Sequence, residues 1–473
     1  MFNHKIYSRL SINIIIIFSF LLSISLSFHY LSKYDKLVVV KKTGALYHPM
    51  LKSAVSNHWE EADEIIIDIK NKENFFTYGG DYDEFLPQRI LALYYLILDK
   101  PIFDENKNFD TNNGKLLYLI LKTLLFYLAL IYFAYKITKI LPITNCFFII
   151  LFIAIEPTIF QFHSSFWNES LFFPLQILLL VYMLSPPSNL FSNFWIGIIL
   201  GLMFSISVES FYLIIPVIIF QILTFKKKSL TIVCSCIVGF TFVLSIITFH
   251  NYKRTNNIFF MNDGAKSALY LYIAPHVLSI SENISAVEAR SIMSQKKLEW
   301  IKENKINVQF DRQNFKDLGF INNDADRLRY FNYLQNSSLG IIIKNPLSTV
   351  KFLFKKNLHT LTLNPFYIKN FYKFDIMNHL HYKSETHKSE IIYRIIYTVI
   401  LYIVMLIGIF HSFKNINKVL TFAVLLLATY PIFVLGWMGA NRYFVPSLIY
   451  LSIFFGNGMV SILNIKKFNA KYE

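Results

Sequence analysis

The sequence predicts an all-α polytopic membrane protein, with about ten transmembrane helices and two large outer-face loops carrying interfacial helices. Three observations predict it: the composition, the recurrence of apolar runs of bilayer length, and the placement of lysines in the short connections. Of the 473 residues 54% are hydrophobic and 17% aromatic, with 47 phenylalanines, and the mean hydropathy is +0.43. A single soluble core of this length does not use so much apolar surface.

A helix needs roughly 20 apolar residues to cross the hydrocarbon core. Runs of that kind begin near Ser11, Leu116, Leu141, Ser170, Phe194, Phe211, Leu230, Ile391, Val419 and Tyr443. The first follows Lys5 and Arg9 and resembles a signal peptide, but no small-x-small cleavage site follows it, so it reads as an uncleaved anchor. The stretch from Phe194 to Phe225 is too long for one span and is interrupted at Ser207-Val208-Glu209. It is therefore split into two helices meeting outside.

Orientation follows from the lysines. Lys136 and Lys139, the run Lys226-Lys227-Lys228, the pair Lys414 and Lys418, and the tail Lys466, Lys467 and Lys471 fall on the side of Lys5 and Arg9 under alternating topology. The positive-inside bias then makes both termini cytoplasmic. The expected location is a bacterial inner (plasma) membrane. Three regions result: residues 1–250, a transmembrane module with a first outer loop at 31–115; residues 251–390, an outer-face region with amphipathic helices; and residues 391–473, the C-terminal transmembrane helices. In the first loop a helix is expected around Leu51 to Ile69, and a short apolar one after Pro87 suits an interfacial position.

Several classes are excluded or disfavoured. The formal charge of +16 invites nucleic acid, yet no basic helix or aromatic-basic module of the known kinds is present, and part of the charge lies in short loops and tails flanking apolar spans. Cys146, Cys234 and Cys236 lie inside apolar runs and indicate no disulfide framework. There is no P-loop, zinc-type cysteine pattern or GxSxG elbow.

Under this topology the ionisable groups at helix breaks collect on the outer side: Asp83 and Glu84, then Glu169, Glu209 and Arg442. Asp83 and Glu84 follow the Gly79-Gly80 turn and read either as reactive carboxylates or as solvated turn residues; Asp81 and Asp35 are their nearest substitutes. Arg89 either pairs with Glu84 or reaches a headgroup phosphate. Glu169 opens a helix, where a carboxylate is favoured electrostatically, or it holds a metal or an acceptor together with His163. Glu209 at a helix centre would cost roughly 2.5–3.5 kcal/mol, so a water-facing or paired position at the break is expected. Arg442 offers planar donors suited to phosphate oxygens, or snorkels to the interface. Lys253 and Arg254 offer further phosphate contacts. His379, His381 and His387 are irregularly spaced in a lysine-rich stretch and read as a solvated loop.

The order of parts resembles the GT-C glycosyltransferases, in the polyprenyl-phosphate-sugar branch that includes protein mannosyltransferases and aminoarabinose transferases. The resemblance is carried by Glu156-Pro157-Thr158-Ile159 running to Trp167-Asn168-Glu169-Ser170, by Gly197 to Leu202 followed by Glu209 and Pro216, by Phe249-His250-Asn251-Tyr252-Lys253-Arg254, and by Asn441-Arg442-Tyr443-Phe444-Val445-Pro446. It implies transfer of a sugar from a lipid-linked phosphate to an acceptor hydroxyl of a glycan, lipid or protein, with inversion. Asp83 or Glu84 would then be the general base. Arg442, Lys253, Arg254 and Arg89 would contact the donor phosphate, and Glu169, His163 and Glu209 would hold the acceptor or a divalent cation, Mg or Mn. A transporter or flippase, and a polymerase or ligase of lipid-linked polysaccharide, are the alternatives. A transporter would spread polar groups along helix interiors, and a polymerase would carry its arginines in a large outer loop.

Overall fold

The computed structural model describes residues 8–42, 62, 65–67, 70, 85–100, 102, 114–163, 169–255, 258, 266, 269–308, 321, 324–360, 388–415, 418–435 and 445–463. Among these the secondary structure is helical throughout, with no strand. Five helical stretches are long and apolar enough to cross a membrane: Arg9–Ser27, Lys115–Ile137, Ser210–Lys253, Ile395–Lys414 and Val445–Ile462. Shorter apolar helices pack between them. The chain is an all-α integral membrane protein on this ground.

The first region contributes α1 (Arg9–Lys42), α2 (Phe85–Leu98), α3 (Lys115–Ile137), α4 (Ile143–Ile155), α5 (Pro157–His163), α6 (Glu169–Leu184), α7 (Leu190–Ile206), α8 (Ile214–Phe225) and α9 (Ser229–Thr255). The break expected at Ser207-Val208-Glu209 is present: Ser207 is extended and a 3-10 turn, Val208–Leu213, separates α7 from α8. The C-terminal region contributes α14 (Lys388–Asn415), α15 (Lys418–Leu435) and α16 (Val445–Ile462).

Between the two lie a π-helical turn, Leu269–Ile273, and α10 (Ala274–Glu282), α11 (Ala286–Glu303), α12 (Asp324–Lys344) and α13 (Pro346–Thr360). They have a core of their own, in which Tyr270, Met293, Ile301, Tyr330 and Leu334 pack together. α11 begins with an N-cap: the Ser285 hydroxyl accepts from the Glu288 amide, and Glu288 lies in the first turn, where an acidic residue is favoured. These helices fall in the region 251–390, where amphipathic helices are expected. The helix expected around Leu51 to Ile69 lies largely outside the described residues.

Side-chain hydrogen bonds set the depth at which each helix stands. At one end of α4, Asn145 Nδ2 donates to Asn457 Oδ1 at 2.6 Å, and Asn457 Nδ2 donates to Ser412 Oγ at 2.8 Å. At the other end the Tyr397 hydroxyl donates to Glu156 at 3.1 Å. α14 therefore runs from the Glu156 end to the Asn145 end. Gln176 donates to the Pro446 carbonyl, which places the middle of α6 against the beginning of α16. Tyr182, at the far end of α6, joins Asn193 of α7 and Gln221 of α8 in one buried cluster.

Glycines set the close approaches. A Cβ on Gly197 would overlap the Cys236 carbonyl oxygen, one on Gly239 the Phe194 carbonyl, and one on Gly201 the Val243 side chain. These pairs rise in step, so α7 and α9 run parallel with their backbones nearly touching, the small-residue packing favoured between membrane helices. Gly408 and Gly458 do the same for α14 and α16, where the added Cβ atoms would meet the carbonyls of Phe454 and Val404.

Two opposite ends follow from these registers. Lys136, Lys139, Lys226–Lys228, Lys414 and Lys418 flank turns at the Asn145 end, and Arg9 lies near Tyr135 there. Glu156, the start of α6, the Val208–Leu213 turn, His250 and Tyr397 stand at the other. Gly408→Leu is expected to separate α14 from α16 and to cost at least ~1–3 kcal/mol, read as a lower thermal midpoint of the purified protein in detergent. An equivalent change at Gly340, whose Cβ would meet nothing within 4 Å, should leave it unmoved.

Candidate functional site

At the Glu156 end, α2 lies across the ends of α7 and α9. The sequence Phe85-Leu86-Pro87-Gln88-Arg89 starts this helix, with proline in the first turn, where its missing N–H goes unused. Asp83 and Glu84 immediately precede it. Both lie outside the described residues, as do Asp81 and Arg442; the side chain of Asp35, within α1, is likewise outside the description.

Arg89 ties α2 to α9. Its Nη1 donates to the Phe85 carbonyl at 2.8 Å, and its Nη2 is 3.0 Å from His250 Nε2 and 3.4 Å from Nδ1. The guanidinium carbon stands 3.8 Å above the centre of the Phe85 ring, which meets the His250 ring edge-on at 5.3 Å. His250, Asn251 and Gln88 are buried. Lys253, one turn beyond His250, is exposed, its ammonium 5.6 Å from the Phe249 ring centre. Arg254 follows it within α9, with only its backbone described. Two candidate phosphate contacts, Arg89 and Lys253, are thus brought to one place, with the backbone of a third.

Glu156 stands in the connection between α4 and α5. Its carboxylate accepts from the amides of Thr158 and Ile159, both at 2.8 Å, from the Thr158 hydroxyl at 2.9 Å and from Tyr397. This is helix capping, with Pro157 supplying a first turn that has one donor fewer to satisfy. Burial raises the Glu156 pKa, and the hydrogen bonds from Ile159, Thr158 and Tyr397 oppose that rise. Sequence reading passed over Glu156 and His250 as site residues, although both stood in the stretches that carried the resemblance. The signal for Glu156 was the Glu-Pro-Thr order; nothing in sequence pointed to Tyr397, 241 residues away.

Of the other candidates, Glu169 is the first residue of α6, Glu209 lies in the Val208–Leu213 turn and His163 closes α5. For these three the backbone alone is described. All three are at the Glu156 end. α15 ends and α16 begins there too. Among the described residues no three His, Cys, Asp or Glu side chains gather to hold a metal ion.

No protein-family model matches the chain, and no curated protein matches it.

Glu156→Ala is expected to leave the Thr158 and Ile159 amides without their acceptor and to cost about 1–3 kcal/mol. Tyr397→Phe removes one hydrogen bond and should cost only about 1 kcal/mol. Thermal unfolding of both variants in one detergent checks the order.

Proposed function

We propose that the protein is a membrane glycosyltransferase of GT-C type, with ten spans, both termini cytoplasmic, and its reaction at the outer face. It would move a sugar from a polyprenyl-phosphate donor to an acceptor hydroxyl with inversion. The observation that carries this reading is Arg89 held against His250 at the end of α9, one turn before Lys253 and five residues after Glu84. A cationic surface and a pair of carboxylates are thereby joined by at most about 20 Å of chain. These are the two charges that such a transfer needs: a carboxylate to take the acceptor proton and cations to receive the leaving phosphate.

In the proposed step the acceptor oxygen forms its bond to the anomeric carbon as its proton passes to Asp83 or Glu84. The bond from that carbon to the donor phosphate oxygen breaks, and its electron pair leaves with the polyprenyl phosphate. Arg89, Lys253, Arg254 and Arg442 stabilise the charge that develops on the phosphate. Arg89 is poised for this because its Phe85 and His250 contacts immobilise the guanidinium before substrate arrives. Glu169, Glu209 and His163 are the groups at this end available to the acceptor or to a divalent cation, which would supply further phosphate neutralisation. The transporter alternative gains no comparable support, since Asn145, Asn457 and Ser412, and Tyr182, Asn193 and Gln221, pair with one another in closed clusters between helices. The folded core of α10–α13 keeps the polymerase or ligase alternative open as an outcome of the test.

Transfer of labelled sugar from defined polyprenyl-phosphate donors, in membranes with matched protein levels, is the test. Asp83→Asn or Glu84→Gln is expected to lower the rate by about 10²–10⁴-fold, and Arg89→Ala and Arg442→Ala each by about 10²-fold or more. Addition of EDTA reports whether a divalent cation takes part. Unchanged transfer by both carboxylate variants would move the base to Glu169 or Asp35. Repeated addition to a growing glycan would favour the polymerase, and no transfer from any donor the transporter.

A further inference from the structure

We infer that α13 is a membrane-docking device, which seats the α10–α13 unit on a lipid surface rich in anionic headgroups. Ile343, Leu347, Val350 and Phe354 are each between 64% and 78% exposed. Leu347, Val350 and Phe354, spaced by three and four residues, make one ridge on α13, since residues so spaced lie on a single helix face; Ile343 stands exposed at the end of α12 just before it. The opposite side of the helix is used up: Phe352 is buried with Ile273 and Val277, and Leu353 packs against that cluster. The ridge is therefore an apolar face left over after the unit has made its own core.

Charge selects what covers it. Lys344 and Lys351 are exposed, and Lys351 lies next to the ridge in helical register. Between Arg327 and Thr360 the sequence contains no Asp or Glu, while it adds Lys355 and Lys356. α11 has exposed Val287 and Leu298 as well, but carries Glu288, Glu299 and Glu303 among its basic residues. Unlike α11, α13 joins an apolar ridge to a positive charge with no acidic residue among it, the pattern of a helix lying in the headgroup boundary of an anionic bilayer. Such a surface is within reach, because α9 and α14, the membrane helices that bound this unit in sequence, present their near ends at the same end of the bundle. The inference needs the protein to be embedded in a membrane and does not depend on the transferase reading.

The full chain, with its three native cysteines replaced by alanine, is spin-labelled at Phe354→Cys and, as a control, at Val287→Cys. Its elution profile is matched to the wild type, and it is placed in nanodiscs of phosphatidylcholine alone or in equal parts with phosphatidylglycerol. Access to oxygen against a water-soluble nickel chelate gives the depth of each label. The label at position 354 is expected below the phosphate level in the mixed lipid and nearer water in phosphatidylcholine, with the label at 287 in water in both. Lys344→Glu with Lys351→Glu should shift the label outward in the mixed lipid, about fivefold in immersed population for each lysine lost. A water-exposed label in both lipids would overturn the inference. So would depth independent of lipid charge, or dipolar coupling showing that a second copy covers the ridge.

Discussion

Helices with apolar flanks slide past one another at little cost, because one leucine against lipid or protein is much like the next. In this bundle the constraint on sliding is the hydrogen-bonding need of a few buried polar side chains. Asn145, Asn457 and Ser412 lock α4, α16 and α14 at one level, and Tyr182, Asn193 and Gln221 lock α6, α7 and α8. Each partner displaced by one turn would leave an amide or hydroxyl unpaired in a low-dielectric interior, a penalty of several kcal/mol. Everything at the far end depends on these clasps. They hold Glu156 level with Tyr397 and keep the ends of α7 and α9 side by side beneath α2.

Close backbone approach has the complementary part. The glycine contacts of α7 with α9, and of α14 with α16, admit no side chain, so these pairs act as rigid two-helix units. A rigid α7–α9 pair is the floor on which α2 rests, and Arg89 fixes the helix to it through His250. The candidate site thus inherits its geometry from packing near the bundle centre. A cation held in advance loses less rotamer freedom when a phosphate arrives than a free surface arginine would.

Much of this was legible in the chain itself. The apolar runs, the break at Ser207-Val208-Glu209, the short helix after Pro87 and the lysine-rich turns all carry local signals, read by length and composition. The sorting of lysines and carboxylates to opposite ends also follows from alternation once the breaks are placed. α2 differs slightly from expectation: it begins at Phe85, ahead of Pro87, because a proline in the first turn forfeits no intrahelical hydrogen bond.

By itself, then, the sequence determined the class of protein, the number of apolar runs and which ionisable residues fall at helix breaks, because hydropathy is a local sum that needs no neighbour. Only the tertiary structure decided that Glu156 is a buried cap bound by Tyr397, that Arg89 meets His250, and that α13 keeps an uncovered apolar ridge. Each of these is a relation between residues from separate helices or a remainder left by core packing. Composition and periodicity carry no term for contacts made across more than a hundred residues, such as the 161 between Arg89 and His250. The physical reason is that burial and hydrogen-bond partnership belong to pairs of surfaces, and the chain specifies those pairs only once it has folded.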